Sequence, residues 1–183
     1  MAAPTRTSRD QWIGAGLAAL AAGGPDAVRI EPLAQTLGVT KGGFYWHFDG
    51  RRAFLDAMLD TWERRNTDDV IERAEREGTD PESRARRAGA LTFGDELWAL
   101  DLAVRDWSRR DPAIAERLRR VDNRRMEYLR TQLGTVCDNP DELEARCLTA
   151  FAIAIGNHLI AADHGSRSRL EVLDRVASRL FAP

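Results

Sequence analysis

One lysine, Lys41, stands among the 27 basic residues of this chain, inside a stretch crowded with donors and aromatic rings. The stretch runs Leu37–Gly38–Val39–Thr40–Lys41–Gly42–Gly43–Phe44–Tyr45–Trp46–His47–Phe48, and Asp49, Gly50 and Arg51 follow. Thr40, Lys41, Tyr45, Trp46 and His47 offer a hydroxyl, an ammonium, a phenol, an indole N–H and an imidazole. Groups of this kind donate to base edges and to phosphate oxygens of a nucleic acid. Gly42 and Gly43 carry no side chain, so backbone can approach a duplex closely there, without reading bases. On spacing alone the assignment stays open. An aromatic-rich short helix serves as core, as a docking face for another protein, or as a DNA-reading element.

Other chemistry is poorly supported. His47, His158 and His164 have no Ser, Cys or carboxylate partner at catalytic spacing, and neither HExxH nor a glycine-rich phosphate loop occurs. The expectation is a protein that is not an enzyme and needs no cofactor or metal. Cys137 and Cys147 are ten apart with no clustered His, which suits two reduced thiols in a cytoplasmic protein. No apolar run approaches the roughly 18 residues of a membrane span, and the first ten residues show no export signal.

Charge is divided unevenly. The first 55 residues hold six basic and four acidic groups, and the remaining 128 hold 21 and 25. A slightly cationic N-terminal part on an acidic body suits a protein that touches phosphate at one end.

The elements that would position the donors are helices. Ser8 and Gln11 form a capping box, after which Ile13, Gly16, Leu17 and Leu20 make one stripe, ended by Gly23–Gly24–Pro25. A short helix is predicted from Ile30 to Leu37, with Pro32 in its first turn and Gly38 just past its end. Thr40 is expected to cap a third helix reaching Phe48. A fourth starts near Arg51 and continues to the break at Gly78–Thr79–Asp80–Pro81, with Phe54, Leu55, Met58, Leu59 and Trp62 on its apolar face and a distal half that is solvated or only lightly packed. The domain division is expected inside this helix, giving 1–55 and 56–183. Further helices are expected over 82–93, 95–109, 112–135, 140–163 and 167–181, so the fold class is all-α.

Residues 8–59 resemble the TetR family of bacterial transcriptional regulators. The match lies in the stretch from Leu37 to Phe48 together with Arg51, Ala53 and Leu55. The resemblance implies an N-terminal three-helix helix-turn-helix and a C-terminal helical domain for ligand binding and dimerisation. It assigns Tyr45 and His47 to phosphate, Lys41 and Gly43 to base-facing positions, and Arg51 to the DNA backbone. Thr40, Gly42 and Trp46 complete the expected interface, together with Arg29, which stands where the family usually has Ser or Thr. Gly43 likewise replaces a position that often carries Ser, Thr or a bulkier residue in the family. The segment from Leu102 to Pro112, with Val121, Asp122, Arg124 and Arg125, is similar to a pattern in actinobacterial members.

In the C-terminal part the resemblance implies a pocket among the middle helices, with Trp62, Phe93, Trp98, Asp101, Arg105, Met126 and His158 as candidate lining. Each of these also reads as ordinary core or as part of a buried ion pair. Aromatic lining suits an apolar or flat, cationic small molecule. The two last helices carry apolar stripes that either close their own core or pair with another subunit. By resemblance they form a dimer interface through Phe151, Ile155, Leu159, Leu173, Val176 and Leu180. A homodimer of this kind recognises a palindromic double-stranded operator. The expectation is a repressor released by a small-molecule effector. A regulator that binds DNA constitutively is the alternative, and a protein–protein adaptor is less favoured.

Overall fold

Ser8 opens the first helix, α1 (Arg9–Gly23), through the expected capping box: its side chain accepts from the Gln11 N–H while Gln11 reaches back to Ser8. This computed structural model describes residues 7–182, apart from the side chains of Asp95 and Glu96. Most of the N-terminal stretch in which an export signal was sought lies outside the described residues. Ile13, Gly16, Leu17 and Leu20 are buried as predicted, and Trp12 joins them with no exposure at all.

A 3₁₀ turn (Pro25–Ala27) leads to α2 (Ile30–Thr36), and Gly38 takes the left-handed conformation (φ 67°) that lets the chain turn into α3 (Lys41–Phe44). α3 is shorter than expected. After Phe44 the residues Tyr45–His47 form a turn, held by His47 N–H and Phe48 N–H donating to the Phe44 carbonyl. Thr40 occupies the cap position with extended backbone, but its side chain makes no capping bond.

The predicted fourth helix is two helices. α4 (Arg51–Asn66) stops at Thr67 (φ −128°, ψ −84°) and α5 (Asp68–Glu77) restarts beyond it. Asn66 is fully buried, and its amide donates to the Trp62 carbonyl one turn back. The distal half is also less solvated than its composition implies, since Val70 and Ala74 are buried and α5 packs on α6 (Pro81–Thr92). Then come α7 (Asp95–Ser108), α8 (Pro112–Leu133), α9 (Pro140–Gly156) and α10 (Arg169–Leu180). α9 ends seven residues before the expected 163. Arg169 supplies the reason: its guanidinium donates to the carbonyls of Asn157 and Ala162, which a continued helix would have used itself.

By compactness the chain falls into two units. The first comprises residues up to Asn66 together with Asp95–Arg119, and the second comprises Thr67–Gly94 and everything from Arg120. The unit that contains the helix-turn-helix is therefore larger than its first 55 residues, because α1 packs against α7 as well as α4. Its core joins Trp12, Phe44, Phe48 and Phe54 in one ring cluster. Phe44 stands edge-on to both Trp12 and Phe54 at 5.3 Å, and Phe48 lies 4.8 Å from Phe54. Leu55, Leu37 and Val39 are only half-buried.

The second unit relies more on polar ties. Arg86 on α6 reaches Asp174 and Ser178 on α10, Arg130 on α8 forms a two-pronged pair with Glu144 on α9, and Arg146 donates to the carbonyls of Leu180 and Ala182. Among the described residues no helix is long and apolar enough to cross a membrane.

Candidate nucleic-acid interface

Phe44 fixes the reading element. It is the one fully buried side chain of α3, and its seat between Trp12 and Phe54 turns the opposite face of that helix outward. Thr40, Lys41, Gly42, Tyr45 and Trp46 are exposed, Tyr45 by 54% and Trp46 by 76%. Rings of this size on a protein's surface need a reason, and two adjacent ones beside a lysine form a patch that can meet sugar, phosphate or base.

The two glycines have no internal justification. A Cβ on Gly43 would meet nothing within 4 Å, and one on Gly42 would meet only the Thr40 hydroxyl at an ordinary 3.7 Å. Neither has a positive φ. What they leave is bare backbone on the outer face.

Lys41 donates to the carboxylate of Glu31, the second residue of α2. The hydrogen bond from Lys41 holds the Glu31 carboxyl below its ordinary range, and the same bond raises the Lys41 ammonium above its own. Spacing gave no hint of Glu31, because the partners are ten residues apart across the turn. Trp12 also went unnoticed, although one turn before Gly16 it lies on the same stripe.

His47 is half-buried, and its Nε2–H donates to the Thr7 carbonyl at 2.9 Å, tying the segment before α1 to the end of the reading turn. Arg51 is also engaged: Nε donates to the Val28 carbonyl at 3.2 Å and Nη2 to the Pro25 carbonyl at 3.0 Å. These bonds clamp the start of α4 onto the connection between α1 and α2. Arg29 sits at the cap position of α2 with extended backbone, exposed and without a capping bond. At the far end of this unit Arg117 on α8 pairs with Asp60 at 2.7 Å and with Glu63 at 2.5 Å, both on one face of α4.

The candidate effector residues divide between the two units. Trp62 is fully buried in the first, and its indole N–H has no hydrogen-bond partner among the described residues. Trp98 is half-buried on α7, while Asp101, fully buried, pairs with Arg105 one turn on at 2.8 Å. Phe93 (buried), Met126 (half-buried) and His158 (exposed) belong to the second unit, and His158 lies in the turn after α9. Phe93 meets Phe151 edge-on at 6.0 Å and faces the Arg125 guanidinium at 5.7 Å. Of the candidate interface residues, Phe151, Ile155, Leu173, Val176 and Leu180 are half-buried, whereas Leu159 is 63% exposed and lies beyond the helix end. On the same two helices Leu148 and Leu170 are 61% and 77% exposed.

Three packed helices, with a short outward-facing third member after a glycine turn, define a helix-turn-helix unit. Residues 13–58 match the family described as bacterial regulatory proteins, tetR family, whose members are non-enzymatic DNA-binding regulators. Over 58 residues, 32% of the chain, it is 36% identical to two HTH-type transcriptional regulators of Pseudomonas putida, TtgW and SrpR. The matched segment spans 43% and 27% of those relatives' lengths. The whole fold is similar to solved structures at low identity. A TetR-family regulator from a Rhodococcus species superposes with a TM-score of 0.71 at 19% identity, covering 95% of this chain and 98% of that one. A protein of Streptomyces coelicolor A3(2) described as a transcriptional regulator gives 0.68 at 18%, covering 96% and 98%.

Proposed function

We propose that this protein is a sequence-specific DNA-binding transcriptional regulator that works as a homodimer on a palindromic operator. The observation that carries this reading is the outer face of α3 and the following turn. Lys41, Tyr45 and Trp46 are exposed there beside two glycines that nothing within the protein requires. Lys41 approaches a base edge, while Tyr45, His47, Arg29 and Thr40 serve the phosphates. Arg51 keeps its clamp on the connection before α2 and supports the backbone contact from there. Residues 1–55 read DNA, and 56–183 hold the second subunit and an effector.

Dimerisation is supported by the apolar side chains that α9 and α10 leave uncovered: no residue of α10 is buried, and Leu148 and Leu170 stand largely in solvent. The buried, unpartnered indole N–H of Trp62 supports a small-molecule effector with a hydrogen-bond acceptor. Binding such a molecule lowers operator affinity and relieves repression, in the cytoplasm. Coupling of this type typically amounts to about 1–3 kcal/mol.

The test is binding of the purified full chain to DNA flanking its own gene, at several salt concentrations, with and without candidate compounds. A shift retained against competitor DNA, with a steep negative dependence on salt, is expected. Binding to no DNA at low salt, or a monomer at micromolar concentration in ultracentrifugation, would overturn the reading.

A further inference from the structure

Glu31 is out of place on a surface built only to hold phosphates. Between Arg29 and Phe48 it is the one carboxylate, and the basic groups there are Arg29, Lys41 and His47. Its side chain is 61% exposed, that of Lys41 is 49% exposed, and the two are hydrogen-bonded to each other across the turn between α2 and α3. Towards a phosphate this carboxylate is repelled, and it also neutralises the lysine beside it. Towards base edges the balance reverses. In the major groove a G·C pair shows the guanine N7 and O6 acceptors beside the cytosine N4 amino donor, which is itself hydrogen-bonded to O6. The protein shows the complement: a donor and an acceptor likewise one hydrogen bond apart. Gly42 and Gly43 place no side chain next to the pair that would hold it off the groove floor.

We propose that Glu31 is a specificity-determining residue and forms one reading unit with Lys41 for a G·C pair in each half-site. The ammonium donates to guanine N7 or O6, and the carboxylate accepts from the cytosine N4 amino group. The carboxylate also discourages non-specific binding, where no amino group compensates it. This rests on the DNA-binding reading given above. A purely structural role is the competing account: Glu31 lies in the first turn of α2, where a negative charge favours a helix whose cap residue, Arg29, makes no capping bond.

The experiment is selection of binding sites from randomised duplexes by the full chain, using wild type, Glu31→Ala and Lys41→Ala at one salt concentration, with thermal denaturation of each. The wild type is expected to return a motif with a preferred G·C pair in each half-site. Both variants should lose preference at that same pair by roughly fivefold or more, and Glu31→Ala should bind random DNA at least as tightly as wild type. A Glu31→Ala variant that returns the wild-type motif unchanged overturns the proposal, and a lowered melting temperature with that result assigns Glu31 to helix stability. Loss of preference at a pair different from the one Lys41→Ala affects overturns the single reading unit. Failure of the wild type to select any motif would remove the DNA-binding reading itself, and the proposal with it.

Discussion

Gly16 is a point of close approach between α1 and α4, and substituting it separates two opposing effects. An added Cβ would lie 2.6 Å from Met58 Sδ and 2.6 Å from Phe54 Cζ, both on α4. Those atoms are the far ends of side chains, but Met58 and Phe54 are fully buried, so neither has free space to enter. Overfilling a packed core costs about 1–3 kcal/mol. Replacing glycine by alanine within a helix contributes about 1 kcal/mol in the other direction. Gly16→Ala should therefore be destabilising by about 0–2 kcal/mol, the difference of those two magnitudes. Gly14 provides the control: it lies on the same helix, and a Cβ there meets nothing within 4 Å. Gly14→Ala should keep the helix gain and be more stable than wild type. The gap between the two variants isolates the overpacking, about 1–3 kcal/mol. Urea unfolding followed by tryptophan fluorescence measures it, since Trp12 and Trp62 are both fully buried in this unit. Equal stability of the two alanine variants would refute the close approach of α1 to α4.

Three other outcomes are expected. Lys41→Ala should lower operator affinity by roughly 5–100-fold and alter base preference, whereas Tyr45→Phe should weaken all sequences alike; fluorescence anisotropy on matched and mismatched duplexes distinguishes them. Ser8→Ala removes a capping box and should lower stability by about 1 kcal/mol, while Thr40→Ala, which loses no capping bond, should leave the melting temperature unchanged and weaken DNA binding. Stability should fall away at both ends of the pH range. Asp80 is held below its ordinary range chiefly by the Ser83 N–H, so its contribution is present above the unfolded-state value and is lost as acid protonates the folded form. Tyr128 is pushed above its ordinary range by burial and then by its bond to Glu75, so the unfolded chain releases that proton first and stability drops above about pH 10; Tyr128→Phe should remove this alkaline loss in denaturation profiles.

Local signals carried the N-terminal part of the fold. The Ser8 capping box, the α1 stripe and the left-handed Gly38 all depend on residues close in sequence, and each is present in the structure. The break at Thr67 was harder to see because neither Gly nor Pro marks it. It rests on Asn66, whose buried amide bonds its own helix, and on Asp68 and Asp69, which favour a new helix start at their position. That acidic pair after a threonine was a readable signal. The early end of α9 was not, since Ile-Ala-rich sequence continues past Gly156 and the competing donor, Arg169, comes twelve residues after Asn157. Of the candidate interface residues, Thr40, Lys41, Tyr45 and Trp46 are exposed, since Phe44 alone of α3 is buried, whereas Gly43 and His47 are half-buried. The Glu31 partner of Lys41 and the carbonyl partners of Arg51 depend on how separate segments meet, which no local pattern encodes.

The empty space around Gly43 makes this chain unusually open to retargeting. An alanine Cβ at this position meets no atom within 4 Å and replaces the residue type least suited to a helix apart from proline. Under the proposed DNA-binding reading, Gly43 is thus a position where a small substitution alters what meets the duplex while the fold stays as it is.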